Sequence, residues 1–188
     1  MRESGTRTVR RDAVRNHRLV IDAARAVMSE YGSGASMELI ASRAGVGVGT
    51  LYRHFPNKEN LLDELVRLIL DELIEAARCE LERTDGSGLE RFLAILGQSF
   101  ADHRGYADKV FGRPQPEQTE QLRVLLGELL ARAQRHGRIR PDVALADIQT
   151  TAWALRGIVD AGDAVAPGAW RRHLELHLDG LRTAAQAR

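Results

Sequence analysis

Val48, Gly49, Thr50, Tyr52, Arg53 and His54 bring together a methyl-bearing side chain, a bare backbone position, hydroxyls, a guanidinium and an imidazole. Such a set suits contact with the base edges and phosphates of a nucleic acid. It can stand exposed because Ile40, Ala41, Val46, Leu51 and Phe55 supply a small apolar core, with Ala41 permitting close helix approach and Gly45 turning the chain. A helix-turn-helix makes the same demands: a small turn residue, apolar side chains locking two helices at a steep angle, and a second helix slim enough for the major groove. Residues 36–55 meet all of them.

Other chemistry is poorly served. Of the histidines His17, His54, His103, His136, His173 and His177, only His173 and His177 have the i, i+4 spacing of a helical metal pair. Glu175 between them falls on another face, and a third ligand is missing. Cys79, the single cysteine, excludes an intramolecular disulfide and offers no second thiol for zinc. No catalytic residue, metal ligand or cofactor is assigned, and an enzyme is the least favoured reading.

The elements that would hold the 36–55 segment follow from helical spacing of apolar residues. Val20, Ala24, Val27 and Tyr31 mark the inner face of a first helix from about Arg11 to Tyr31, ended by Gly32-Ser33-Gly34. Ser36 caps a second helix that runs to Ala44, with Glu38 near its positive end. A short third helix spans Val48 to His54 and stops at Pro56-Asn57. From Lys58 the apolar pattern continues to about Arg83 as one long helix. Further amphipathic segments are expected at Leu89–His103, Glu117–His136, Ala144–Ala161 and Pro167–Ala185. The fold class is therefore all-α. Residues 1–10 form a basic arm, 11–57 a three-helix DNA-binding domain, and 58–188 a helical effector-binding and dimerisation domain joined to it by the long helix.

Charge agrees with this division. The 188-residue chain has a net charge of +1, but residues 1–60 carry ten Lys or Arg against six acids, and the remainder reverses the balance. Arg10, Arg11 and Arg15 belong to an N-terminal basic cluster suited to phosphate, although residues 1–9 read equally well as a solvated tail. The opening lacks an apolar stretch of signal-peptide length, and acids interrupt the most hydrophobic run, Leu61 to Ala77. A cytoplasmic protein without membrane contact is expected.

The run from Ile40 through Ala41-Ser42-Arg43-Ala44-Gly45-Val46-Gly47-Val48-Gly49-Thr50-Leu51-Tyr52-Arg53-His54-Phe55-Pro56-Asn57-Lys58 to Glu59 resembles the signature of the tetracycline-repressor (TetR) family. Val20-Ile21-Asp22-Ala23-Ala24 and Gly32 are similar to that family's first helix. The resemblance implies that Ser36 and Thr50 contact phosphate through their hydroxyls, that Tyr52 and His54 are phosphate ligands, and that Lys58 is a phosphate anchor. It also implies that Gly47, Val48 and Gly49 open the recognition helix, with Val48 near a thymine methyl and Arg53 reading a base. Gly47 stands where Ser is common, and Ser33 where an aromatic or aliphatic residue is common, so the cap and the corner are weaker.

For the C-terminal half the resemblance implies a ligand pocket and a dimer formed by the last two helices. Pocket candidates are Phe92, Leu96, Phe100, His103, Tyr106, Phe111, Leu126, Trp153 and Arg156, since apolar side chains with a few polar groups typify small-molecule cavities. Trp153, Leu155, Ile158, Val159, Trp170, Leu174, Leu178 and Leu181 form stripes for an intersubunit bundle, although stripes at this spacing also serve as intramolecular core. Two readings follow. One is a repressor that binds a palindromic DNA operator as a homodimer and answers to a small hydrophobic or amphipathic effector. The other is a DNA-binding interaction protein of the same fold, controlled by a protein partner or uncontrolled.

Overall fold

A computed structural model of the chain describes residues 4–104, 115–162, 166 and 168–183, with side chains from residue 14 onward. Among these residues there are eight helices and no strand: α1 (Ser4–Tyr31), α2 (Met37–Ala44), α3 (Val48–His54), α4 (Lys58–Leu81), α5 (Gly88–Asp102), α6 (Pro116–Arg135), α7 (Leu145–Ala161) and α8 (Ala169–Leu181). Two compact units result, one of Met1–Val66 with His103–Arg113, the other of Arg67–Asp102 with Pro114–Arg188.

In the first unit, α1 begins at Ser4, ahead of the Arg11 start that apolar spacing predicts. Extending an existing helix costs little, and apolar spacing marks only the part that faces a core. Val20, Ala24 and Val27 are fully buried as expected, but Tyr31 is 56% exposed and Met28 takes the inner position instead. Tyr31 is the last residue of α1, and the chain turns away at Gly32, whose N–H donates to the Met28 carbonyl at 2.9 Å.

The turn between α2 and α3 follows from local chemistry. Ser36 has extended backbone, and its Oγ accepts the Leu39 N–H at 3.2 Å, satisfying one of the donors that a helix start leaves open. At the other end Gly45 adopts φ +67°, a left-handed conformation that costs glycine nothing and other residues about 1 kcal/mol or more. The Val46 N–H then returns to the Ala41 carbonyl at 3.1 Å. Ile40, Ala41, Leu51 and Phe55 are buried with Val20, Ala24, Val27 and Met28 of α1 and Leu61, Leu62 and Leu65 of α4. Val46 is half-buried. Each large apolar side chain so buried contributes roughly 1.5–3 kcal/mol, which offsets the weak helix propensity of α3.

Pro56 and Asn57 separate α3 from α4, and the Asn57 Oδ1 accepts the Asn60 N–H at 2.9 Å to cap the longer helix. Helix α4 contributes Lys58–Val66 to the first unit and continues to Leu81, two residues short of the expected Arg83.

The second unit buries Ile69 and Leu73 of α4, Leu89, Phe92, Leu93, Leu96 and Phe100 of α5, Leu126, Leu129, Leu130 and Ala133 of α6, and Ile148 of α7. Gly97 of α5 leaves room for the six-membered ring of Trp170, which lies where a β-carbon would be. Arg171 stacks over the same indole at 4.5 Å from its centroid and donates to the Gln98 side chain. Glu90, only 12% exposed, accepts from Arg138 at 3.2 Å and Arg182 at 2.5 Å. An isolated antiparallel bridge between Ile139 and Arg182 runs beside this pair.

Most of the stripe residues expected at an interface are buried within the single chain. Leu155, Val159, Trp170, Leu174, Leu178 and Leu181 are all 8% exposed or less within the single chain, and Ile158 is half-buried. These side chains face the core of their own unit, because the same spacing serves intramolecular packing. Trp153, expected both on the interface stripe and among the pocket candidates, is 66% exposed on α7.

Candidate nucleic-acid interface

Helix α3 is seven residues long, roughly 10 Å at 1.5 Å per residue. Leu51 on one side and Phe55 at its C-cap are anchored in the core, the latter also by its N–H to the Leu51 carbonyl at 2.8 Å. The opposite face therefore points to solvent. Val48 and Tyr52, four residues apart, are 39% and 40% exposed. Gly49 and Arg53, offset by one, are exposed beside them, and Gly47 precedes them as N-cap without a side-chain bond. Thr50 and His54 are half-buried at the edges.

Arg53 makes no ion pair among the described residues, so its guanidinium is available to an incoming acceptor, and the same fork geometry that binds carboxylates reads guanine. Arg43 on α2 differs. It donates to Glu30 of α1 at 2.9 Å, and that bond, with a further one from Tyr31, holds the Glu30 carboxyl below its ordinary range. Arg43 thus braces α2 against α1.

Ser36 and Arg15 are exposed, while the side chains of Arg10 and Arg11 lie outside the described residues. Lys58 is half-buried, and its Nζ donates to the Ala35 carbonyl at 2.5 Å. Two of its three N–H groups remain for other acceptors. Behind His54 stands a residue that spacing alone did not single out. His17 of α1 lies 5.3 Å from the Phe55 ring and 6.1 Å from the His54 ring, edge-on to the latter, with its Nε2 3.6 Å from a Glu64 carboxylate oxygen of α4. His17 precedes Val20 by three residues, a helical step on the inner face, which is the signal that would have marked it.

Among the pocket candidates, Phe92, Leu96, Phe100 and Leu126 are buried in the second unit. His103 is half-buried, Arg156 pairs with Asp160 at 3.3 Å, and Tyr106 and Phe111 lie outside the described residues. His173 and His177 stack at 6.1 Å. The Thr151 hydroxyl donates to the Asp147 carbonyl at 2.8 Å, so at 2.7 Å it accepts the Nε2–H of His177. No group of three metal-ligating side chains occurs among the described residues. Nor is any of their helices long and apolar enough to cross a membrane.

Known proteins match this architecture over nearly the whole chain. Residues 20–65 match the family model described as bacterial regulatory proteins, tetR family. Residues 85–183, more than half of the chain, match that of the C-terminal domain of SbtR-like transcriptional regulators. The chain belongs to the TetR family. A TetR regulatory protein of Mycobacterium vanbaalenii has a similar structure, with 32% identity, a TM-score of 0.71 and coverage of 93% of this chain and 99% of that one. TetR regulator SCO0520 of Streptomyces coelicolor has 31% identity and a TM-score of 0.68, covering 88% and 98%. In sequence, the chain is 26% identical over 181 residues to the HTH-type transcriptional repressor KstR2 of Mycobacterium tuberculosis strain CDC 1551, across 86% of this chain and 90% of the relative. The protein is thus a TetR-family DNA-binding transcriptional regulator, and its α2–α3 face lies wholly inside the first matched segment.

Proposed function

We propose that this TetR-family regulator is a cytoplasmic, ligand-responsive repressor that binds a palindromic operator as a homodimer. The observation that carries the reading is the division of α3 into an anchored side, Leu51 and Phe55, and a solvent side, Val48, Gly49, Tyr52 and Arg53. On this reading Arg53 reads a base edge and Val48 meets a thymine methyl, while Ser36, Thr50, Tyr52, His54, Lys58 and the arginines at 10, 11 and 15 contact phosphate. The bare backbone of Gly47 and Gly49 permits close approach to the groove.

Dimerisation is supported by two exposed side chains, one of them from the apolar stripe of α7. Trp153 of α7 is 66% exposed and Leu176 of α8 is 55% exposed, and large apolar groups left in water on neighbouring helices favour a partner copy. Repression is supported by the KstR2 relatives, which are HTH-type transcriptional repressors. The effector is a small hydrophobic or amphipathic molecule taken up in the second unit, where Phe92, Leu96, Phe100 and Leu126 supply apolar surface. Binding that favours one setting of α4 would change operator affinity through that preference.

Selection of bound duplexes from a random pool tests this. The expected result is a two-fold symmetric consensus with half-sites about one helical turn, roughly 34 Å, apart. An asymmetric or absent consensus sinks the operator reading. Operator affinity unaltered by any hydrophobic effector or cell extract would leave a regulator without small-molecule control.

A further inference from the structure

We propose that His17 is a positioning residue for the recognition helix, holding His54 and the C-terminal end of α3 in register through a tether to Glu64. The inference rests on the DNA-contact role proposed above for His54. Three helices converge on this imidazole. His17 stands on α1, His54 ends α3, Phe55 caps α3, and Glu64 lies six residues beyond the start of α4 at Lys58. The His17 ring tilts 36° against the buried Phe55 and presents itself at 74° to His54. Its Nε2 lies 3.6 Å from Glu64 Oε1, within the range of an ion pair but long for a hydrogen bond.

Packing alone does not account for this arrangement. The His17 side chain is 39% exposed and that of Glu64 22%, so neither is a core residue in the sense that Leu51 or Leu61 is. What the pair does provide is confinement: the Glu64 carboxylate and the Phe55 and His54 rings limit how the His17 ring sits, and that ring restricts the rotamers of its half-buried neighbour His54. A phosphate ligand held in its bound rotamer loses less side-chain entropy on binding. The recognition helix needs such a brace, because α3 has no side-chain N-cap bond and is only seven residues long.

The test is a double-mutant cycle on affinity for a mixed-sequence duplex of about three helical turns at low ionic strength, where phosphate contacts dominate. His17→Ala and Glu64→Gln are each expected to weaken binding about fivefold, and their combination no further than the weaker single variant, as residues acting through one contact should. Thermal unfolding should be nearly unchanged in both. The near-isosteric Glu64→Gln carries the test even where His17→Ala perturbs folding. In heteronuclear NMR, Glu64→Gln should shift the His54 ring resonances, and it should fail to do so in the His17→Ala background. A purely structural role would not produce that dependence. Multiplying losses, wild-type affinity in both variants, or His54 signals indifferent to Glu64 would each overturn the proposal while wild-type binding stands. A wild-type protein that ignores the duplex would instead overturn the functional reading beneath it.

Discussion

The Lys58 ammonium is bonded to the Ala35 carbonyl at 2.5 Å, which ties the first residue of α4 to the residue just before the cap of α2. The side chain that family resemblance assigns to phosphate therefore also braces the DNA-binding unit. Lys58→Met should act twice. Stripping a partly buried carbonyl of its charged donor costs about 1–3 kcal/mol of stability, read as a lower Tm. Losing one cation at the phosphate backbone should weaken binding to all duplexes and reduce the salt slope by about one. A lower Tm with an unchanged slope would mean that the lysine is a brace alone.

Arg53 and Tyr52 separate base reading from backbone contact. Arg53→Ala should relax base preference at one position of each half-site, with a loss of about 1–3 kcal/mol on the preferred sequence and little on others. Tyr52→Phe should weaken all duplexes alike. Competition titrations with single-base operator variants distinguish the two, and a uniform loss from Arg53→Ala would contradict its reading role.

Gly97 and Trp170 are in contact so close that a β-carbon would enter the indole ring. Overpacking of this kind typically costs about 1–3 kcal/mol, so Gly97→Ala should lower the Tm despite the better helix propensity of alanine. Trp170→Leu in the same background should recover part of the loss, and a Tm raised by Gly97→Ala would show that the helices can separate freely.

His177 gives a pH dependence of defined sign. Burial pushes its imidazole below the ordinary value of 6.5, nearby His173 adds to the shift, and Asp147 opposes it. The unfolded chain therefore binds the proton more readily than the fold. Stability from the neutral ring is fully present above about 6.5 and is lost as the pH falls through that value towards the lower folded one. His177→Gln, which keeps a donor for Thr151, should show a flatter decline in Tm between about pH 7 and pH 5. Parallel Tm curves for the two proteins would show that His177 is not the source.

Trp153 and Leu176 test the proposed dimer. Trp153→Arg with Leu176→Arg should shift the protein towards monomer in sedimentation velocity and weaken operator binding, because two half-sites would no longer be engaged together. Each position is more than half exposed, so the monomer should remain folded. An unchanged sedimentation coefficient would direct the search for an interface elsewhere.

The DNA-binding elements are written almost residue by residue in the chain. Ser36, Gly45 and Pro56 act through local geometry, so the expected bounds of α2 and α3 coincide with the observed ones. Side-chain partners were less legible. The stripe holding Leu155, Trp170, Leu174 and Leu178 announces an apolar face, but period alone does not say whether that face meets its own chain or a second copy. Leu155, Trp170, Leu174 and Leu178 are buried within the single chain, whereas Trp153 of the α7 stripe and Leu176 are left in water. His17 was missed for a related reason: its partners Phe55 and Glu64 are distant in sequence, and only folding brings them together. The Lys58 bond to a backbone carbonyl has no sequence signal at all.

Gly47 and Gly49 leave vacant ground on the reading face of α3. A β-carbon on Gly49 would meet nothing within 4 Å, and one on Gly47 only the Thr50 hydroxyl at 3.8 Å. New side chains could be installed there without disturbing the scaffold, and at position 49 they would strengthen the helix by up to about 1 kcal/mol. The two glycines thus make this a regulator whose target sequence is open to rewriting, by mutation in nature or by an engineer seeking an orthogonal genetic switch.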